Sequence, residues 1–234
     1  MDGTPLELSP PRQVLRRVLA QAEQAGYAAK CGYELEFYLL KGTPDELASK
    51  ATATSRPSRA ATTPTASTAT PRRSTSSARS GSSSRRTAST SRPATASTAP
   101  GQFEVNMRYC DALHAADGAM LLKSSVRELA ARHGYTASFI AKLSSEWAGS
   151  SGHCHQSLVG LDGARAFANS EDEANLSAVG ESFMAGVVEL AKEMTAFYLP
   201  TINSYKRTEG ATWAGSSATW GGFDNRTVAL RAIP

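Results

Sequence analysis

Two glutamates stand two residues apart in an apolar stretch of the chain. Glu34 and Glu36 lie within Tyr33–Leu40, whose aromatic and aliphatic residues favour a β-strand. Side chains at i and i+2 of a strand project from the same face, so both carboxylates face one side. Like charges this close repel each other unless a cation or solvent relieves them. The pair is therefore either a solvated strand face or part of a divalent-metal site.

Two further groups of residues offer similar ligands. Glu104, in the predicted strand Gln102–Met107, could supply a third hard oxygen ligand. His153 and His155 follow the small-residue loop Gly149–Gly152 at strand spacing. Imidazoles on one face ligate metals or bind phosphate, although isolated histidines are more commonly structural. Each group taken alone leaves both interpretations open.

Basic side chains follow near the end of the sequence. Arg207, Arg226 and Arg231 each carry a guanidinium fork, which holds carboxylates and phosphates bidentately and stays charged. Neither a P-loop nor a GxGxxG fingerprint is present. Three carboxylates, one or two histidines and three arginines indicate a divalent-metal site beside an anion clamp. That combination is typical of metal-assisted phosphotransfer or ligation.

Helices and strands that could position these groups can be predicted on both sides of an unusual middle segment. Their order indicates an α+β fold, in which helices pack on a mainly antiparallel sheet. Three helices are predicted: the first is capped by Ser9 and closed by Gly26, the second is capped by Asp111 and runs to His133–Gly134, and the third runs from Ser177 to Tyr198 and is ended by Pro200. Strands are also predicted over Tyr135–Leu143 and His153–Val159.

The middle segment, Ala51–Pro100, contains only Ala, Thr, Ser, Arg, Pro and Gly. It cannot bury enough apolar surface to offset its chain entropy, so we expect it to be disordered. One interpretation is a flexible linker whose arginines contact RNA or anionic surfaces, and another is GC-rich DNA translated out of frame. The chain is accordingly divided into two parts that are expected to fold, 1–41 and 101–234, and a low-complexity segment, 42–100.

Charge and cysteine content narrow the protein class. The net charge is +4, but 51–100 holds eight arginines and no acidic residue, so the remainder carries −4. We therefore expect no nucleic-acid partner for the folded part. Three widely spaced cysteines fit neither a disulfide framework nor a CxxC zinc site and favour a reducing, cytoplasmic location. No signal peptide or membrane-spanning run is evident, so no membrane partner is expected.

The chemical blocks together resemble the catalytic domain of the glutamine synthetase superfamily in order and spacing. That superfamily includes glutamine synthetases and related γ-glutamyl-amine ligases. The resemblance covers residues 1–41 and 101–234 and is carried by Ser9–Arg12, Gly32–Phe37, Gly101–Glu104, Gly152–Leu158, Asn203–Arg207 and Asn225–Arg231.

The resemblance implies a role for each chemical residue. One Mg²⁺ or Mn²⁺ would be held by Glu34 and His153, and a second by Glu36 and Glu104. ATP, the co-substrate, would contact His155 and Ser157. The substrate glutamate would contact Gly149 and Arg207, while Arg226 and Arg231 would neutralise the phosphates. The implied reaction phosphorylates the γ-carboxylate of glutamate and then joins ammonia or another amine to it, in a ring-shaped homo-oligomer.

Departures from the family pattern affect three places. A further metal-binding glutamate of the family falls on Ala96, eight residues before Glu104. The flap glutamate that binds ammonium falls on Trp213, with Glu209 nearby, so Trp213 is either a packed aromatic residue or a sign of an organic amine substrate. By the resemblance, the family's amino-terminal β-grasp domain and a later block with a further metal glutamate and a substrate arginine have no counterpart in these 234 residues, so impaired activity is expected.

Three alternatives to a glutamate ligase remain open. The same fold could catalyse guanidino-kinase chemistry, for which no suitable nucleophile is evident. The chain could be a catalytically inactive remnant. It could also be a binding protein whose Arg-rich segment is the active element.

Overall fold

The computed structural model describes residues 10–54, 95–96, 99–171, 175–208, 220–223 and 228–233. Strands that pair mainly in the antiparallel sense alternate with helices along the chain. The elements in order are α1 (Pro11–Gln24), β1 (Tyr27–Lys41), α2 (Pro44–Thr54), β2 (Thr95–Ala96), β3 (Gln102–Asn106), β4 (Cys110–Asp111), α3 (Ala112–Arg132), β5 (Tyr135–Ser138), β6 (Gly152–Gly160), α4 (Ala178–Leu190), α5 (Thr195–Tyr198), α6 (Ile202–Thr208), β7 (Trp220–Phe223) and β8 (Leu230–Ala232).

Strand β1 is the centre of a six-stranded sheet. Along one edge it pairs with β4 and β3, and β2 extends the sheet beyond β3. Along the other edge, residues 27–35 pair with β6 and residues 38–41 pair with β5. Every pairing in this sheet is antiparallel, which confirms the predicted α+β class, while β7 and β8 form a separate parallel pair.

Alternation along β1 gives the sheet two different faces. Phe37 and Val105 are buried with Ala130 of α3 on one face, the helix face. Burying a side chain of this size contributes roughly 1.5–3 kcal/mol. The other face carries Glu34, Glu36, Glu104 and His153 and is called the acidic face below. Because α3 packs on the opposite side, the acidic face is free of that helix.

Two helix starts differ from the sequence-based expectation. Helix α1 has Pro10 at its N-cap position and no side-chain capping bond, and the predicted cap, Ser9, lies outside the described residues. Helix α3 begins after Asp111 as predicted, but the Asp111 carboxylate does not cap it. The carboxylate binds Nζ of Lys30 at 2.6 Å instead, because β4 places the two residues directly opposite each other.

Helix α2 was missed by sequence reasoning and occupies the start of the predicted low-complexity segment, 42–100. It opens with a capping box: the Glu46 N–H donates to Thr43 Oγ1 at 3.3 Å, and the Thr43 N–H donates to the Glu46 carboxylate at 3.0 Å. Pro44 holds the first helical position, where its missing N–H is harmless. The disorder prediction for 51–100 otherwise falls on residues that are largely outside the described ranges.

Two predicted elements are shorter than expected. Strand β5 stops at Ser138, whereas the prediction extended to Leu143, because Ser151 and β6 occupy the same edge of β1 from Glu36 back to Tyr27. The helix predicted over Ser177–Tyr198 is divided into α4 and α5 by a turn at residues 191–194. Ser177 does cap α4, accepting a hydrogen bond from the Gly180 N–H at 3.1 Å. Within the described ranges, every helix is too short or too polar to cross a bilayer.

The three cysteines are remote in sequence but meet around β1. Cys31 lies directly opposite Cys110, and Cys154 lies directly opposite Tyr33 in β6. All three are free thiols. A hydrogen bond to Cys154, together with burial, raises the pKa of Cys31, so its thiol is protonated at neutral pH.

Candidate active site

The strand register arranges the side chains of the acidic face in rows across the sheet. One row runs from Asn106 in β3 through Glu34 in β1 to His153 in β6. The next row places Glu104 directly opposite Glu36. Because strands rise about 3.4 Å per residue, rows two residues apart are separated by roughly 7 Å. The acidic residues predicted separately from sequence thus lie side by side on one surface.

The short strand β2 extends the second row. Thr95 lies directly opposite Glu104, and Ala96 lies directly opposite Phe103. Successive strand residues alternate between faces, so Thr95, and not Ala96, has the register position beside the acidic pair. The family resemblance instead implies Ala96 as the position of the missing ligand. Neither residue has a carboxylate, so β2 adds none to this row.

Ser151, immediately before β6, holds the carboxylate of Glu36. Its N–H and its hydroxyl donate to Oε2 of Glu36 at 2.8 and 3.1 Å. The same hydroxyl lies 3.3 Å from Nε2 of His153. Ser151 therefore links the two rows and fixes the orientation of Glu36, a role that the small-residue loop did not reveal in the sequence.

Glu34 is paired with the second histidine of β6. Its Oε1 lies 3.1 Å from Nε2 of His155, within the distance of an ion pair. The angle is unsuitable for a hydrogen bond, and Nε2 is buried without a hydrogen-bond partner. The two groups are thus in contact without a hydrogen bond, and both keep capacity to bind a ligand.

The acidic face has the donor types that a hard divalent cation requires. Glu34, Glu36 and Glu104 offer carboxylate oxygens, and His153 offers an imidazole nitrogen, a set that suits Mg²⁺ or Mn²⁺. In the described part of the chain, no three His, Cys, Asp or Glu side chains converge on one point. The residues fit a cation by chemistry and by shared face, and their roles as ligands stay predictions.

Beyond the first row, a tyrosine that sequence reasoning missed covers one end of the face. The hydroxyl of Tyr109 forms a short hydrogen bond with Oγ of Ser157. The backbone and Cβ of Tyr109 lie over Gly32, where a Cβ would be 3.6–3.7 Å from them. Gly32 is directly opposite His155. Tyr109 thus contacts Ser157 and the glycine directly opposite His155, and no sequence motif predicted it.

At the other end of the face, two buried side chains hold the loop before β6. The Tyr38 hydroxyl donates to the Ala148 carbonyl oxygen at 2.8 Å. Nε2 of Gln102, directly opposite Tyr38, donates to the Gly149 carbonyl oxygen at 2.8 Å and to Oγ of Ser150 at 3.3 Å. Both residues are almost fully inaccessible to solvent. Together they fix the position of Gly149.

Arg207, in α6, packs against this loop. A Cβ added to Gly149 would collide with Cγ of Arg207 and would lie 2.9 Å from the Ala141 carbonyl oxygen. Only glycine therefore allows the Arg207 side chain to lie there. Burial lowers the pKa of Arg207, and the negative charge of Glu36 opposes that effect. A cavity of about 200 Å³ is lined by Arg207, Glu36 and the backbone turn Ser150–Gly152.

Asn203 anchors the helix that carries Arg207. Its Oδ1 accepts from the Lys142 N–H at 2.7 Å, and its Nδ2 donates to the Lys142 carbonyl oxygen at 2.8 Å. This reciprocal pair joins α6 to the segment that precedes Gly149. The predicted block Asn203–Arg207 is thus a positioning asparagine followed, one helical turn later, by a candidate anion-binding arginine.

The remaining predicted site residues lie away from the acidic face or outside the described residues. Arg231 lies half-buried in β8, which belongs to the smaller sheet and not to the acidic face. Arg226 and Trp213 lie outside the described residues. The structure therefore brings together the metal, nucleotide and glutamate candidates of β1, β3, β6 and α6.

Comparison with known proteins identifies relatives of this arrangement. A family model described as glutamine synthetase, catalytic domain, matches residues 8–234. The glutamate–isopropylamine ligase of a Pseudomonas species is 48% identical over 233 residues, which is 100% of this chain and 50% of that protein. The glutamine synthetase of Rhizobium meliloti is 34% identical over 238 residues, which is 99% of this chain and 53% of that protein.

A solved structure shares the fold. Apo GmaS without ligand matches with a TM-score of 0.70 and 26% identity, covering 95% of this chain and 50% of that one. The chain thus spans about half the length of the relatives that it matches.

Proposed function

Because the chain belongs to the glutamine synthetase family through its catalytic domain, we propose that it carries the centre of an ATP-dependent glutamate–amine ligase. The observation that supports this most is the common face: Glu34, Glu36, Glu104 and His153 lie in adjacent rows. Glutamate would bind at Gly149 and Arg207, at one end of this face. ATP would bind at the other end, beside His155 and Ser157.

The two rows would each hold one divalent cation, Mg²⁺ or Mn²⁺. Glu34 and His153 belong to the first row, and Glu36 and Glu104 to the second. When bound, such cations offset negative charge on a transferring phosphoryl group. Ser151 keeps one oxygen of Glu36 occupied and leaves the other for a cation.

The residues of the chain would serve a two-step reaction. Arg207 orients glutamate by binding a carboxylate, and its partial burial strengthens that interaction because less water competes. The glutamate γ-carboxylate then attacks the γ-phosphorus of ATP, and ADP leaves. In the second step the amine nitrogen attacks the γ-carbonyl carbon, phosphate leaves, and the nitrogen loses a proton. We assign Arg226 and Arg231 to phosphate neutralisation on the basis of the sequence resemblance.

An aliphatic amine is the proposed second substrate, with ammonia as the alternative. One relative is a glutamate–isopropylamine ligase. By the sequence resemblance, Trp213 stands where the ammonium-binding glutamate of the family is expected. An indole side chain would favour an alkyl group and would offer no negative charge to ammonium.

The test is to incubate the protein with glutamate, ATP and Mg²⁺ and either ammonium or isopropylamine, and to measure the γ-glutamyl amide by mass spectrometry. We expect more isopropylamide than glutamine. The variant W213E should shift the preference towards ammonium, and the matched control W220F should leave it unchanged. Equal use of both amines by the wild type and by W213E would refute the assignment of Trp213.

The second candidate function is cation binding without ligase activity, so that the chain would be an inactive member of the family. It is favoured by β2, whose residue opposite Glu104 is Thr95 and not a carboxylate. Binding of Mn²⁺ that depends on Glu34 and His153, with no amide formed from any amine, would identify this case.

A further inference from the structure

Asn106 completes a row of three side chains on the acidic face. It is the last residue of β3 and lies directly opposite Glu34, while His153 lies directly opposite Glu34 from the other edge. Directly opposed residues of antiparallel strands have Cβ atoms about 5 Å apart. The side chain of Asn106 is therefore a neighbour of Glu34 on the side that His153 does not occupy.

The amide oxygen of Asn106 has no hydrogen-bond donor. Its Oδ1 is buried and unpaired among the residues that the structure describes. A buried acceptor without a partner is unfavourable, and native proteins rarely keep one without a bound ion, a water molecule or a function. The neighbouring carboxylate cannot satisfy it, because Glu34 is itself only an acceptor when ionised.

A divalent cation would satisfy both oxygens at once. Amide carbonyl oxygens bind hard cations alongside carboxylates, and imidazole tolerates the same ions. We propose that the amide oxygen of Asn106 is a third protein ligand for the cation of the Glu34–His153 row. This inference rests on the proposed function, which assigned that row only Glu34 and His153.

The proposal makes the two rows electrically different. With neutral histidine and neutral asparagine, the first row carries one negative charge from Glu34. The second row carries two, from Glu36 and Glu104. Ligand charge sets the affinity for hard cations, so the first row should bind its cation more weakly than the second row does. An added carboxylate in the first row should raise its affinity.

The test compares N106L and N106D with the wild type, using Mn²⁺ alone without nucleotide. Leucine keeps the branched shape of asparagine with a larger volume, and it removes an oxygen that is unpaired in the metal-free protein. The thermal midpoint of metal-free N106L should thus be unchanged or higher. Electron paramagnetic resonance of the free ion gives the dissociation constant of Mn²⁺ at the weaker site. In N106L this constant should rise about 10-fold or more. N106D should restore or exceed wild-type affinity.

Control variants separate this proposal from the function on which it rests. N169L makes the same change in the connection between β6 and α4 and should leave Mn²⁺ binding unaltered. E34Q and H153A should abolish the weaker site. If wild type binds no Mn²⁺ through Glu34 and His153, the proposed site itself fails. If wild type binds Mn²⁺ and N106L binds it equally well, only the role of Asn106 fails.

Discussion

Single side chains on the acidic face have orientations that their neighbours impose. Glu36 is held by Ser151, Glu34 contacts His155, and Arg207 lies over Gly149. Each of these contacts joins residues that are more than fifty positions apart in sequence. Substitution of one partner should therefore change the position of the other before it changes the fold.

Replacement of Gly149 by alanine should displace Arg207. The new Cβ would collide with Cγ of Arg207 and approach the Ala141 carbonyl oxygen, and backbone cannot yield as a flexible side chain can. We expect the affinity for glutamate, measured by calorimetry, to fall about 10-fold or more, since small misplacements of a binding group are costly. The control is G186A in α4, where an added Cβ meets nothing within 4 Å and glutamate affinity should not change.

Tyr38 gives a prediction for alkaline pH. Burial, and secondarily the charge of Glu36, raises the pKa of Tyr38 above its ordinary value of 10.0. As pH increases, the unfolded chain loses this proton first, so the folded state loses stability above about pH 10. The free energy of unfolding should decline more steeply there for wild type than for Y38F, which has no hydroxyl. Parallel declines in urea titrations of the two proteins would contradict the prediction.

Helix α2 begins with a capping box. Its capping box joins Thr43 and Glu46 through both backbone N–H groups, and Pro44 is compatible with the first turn. The sequence contained this signal, T-P-D-E, but the low-complexity composition that follows concealed it.

The variant T43A should fray α2 without unfolding the sheet. Removal of an N-cap hydroxyl costs about 1 kcal/mol of helix stability. Amide hydrogen exchange at the start of α2 should accelerate about five-fold, whereas exchange in β1 should be unchanged. The control T43S keeps the hydroxyl and should exchange like wild type. Equal protection of α2 in T43A would show that the capping box is not what maintains the helix.

At the level of the whole molecule, β1 joins two parts of the chain that are separated in sequence by the middle segment, Ala51–Pro100. Strand β1 pairs with β3, β4, β5 and β6, and β2 pairs with β3. All five of these strands come after residue 94. The first part of the chain therefore supplies the central strand, and the second part supplies the strands around it.

Limited trypsin digestion should show this division. The segment 51–100 contains eight arginines and no large apolar residue, so its composition predicts early cleavage there. The two products should co-elute from a size-exclusion column, because β1 is hydrogen-bonded along both edges. They should separate after the same digestion followed by urea. Separation without denaturant, or early cleavage at the arginines of α3, would contradict this organisation.

The sequence alone determined the family and which residue types could bind a cation or an anion. Strand periodicity is a local property, so the i, i+2 spacing was sufficient to put Glu34 and Glu36 on one face and His153 and His155 on one face. It also predicted α1, α3 and the α+β class. The later part of the predicted strand Tyr135–Leu143 was wrong because β6 and the preceding Ser151 pair with that part of the β1 edge.

Only the tertiary structure decided which faces meet and in which register. Asn106 beside Glu34, Thr95 opposite Glu104, Ser151 on Glu36 and Tyr109 on Ser157 all depend on pairing between distant segments. A shift of one residue in any strand would have moved every side chain to the other face, and no local pattern specifies that choice. The sequence therefore predicted which residue types could form the site, whereas the strand pairing of the sheet determined which of them lie side by side in rows.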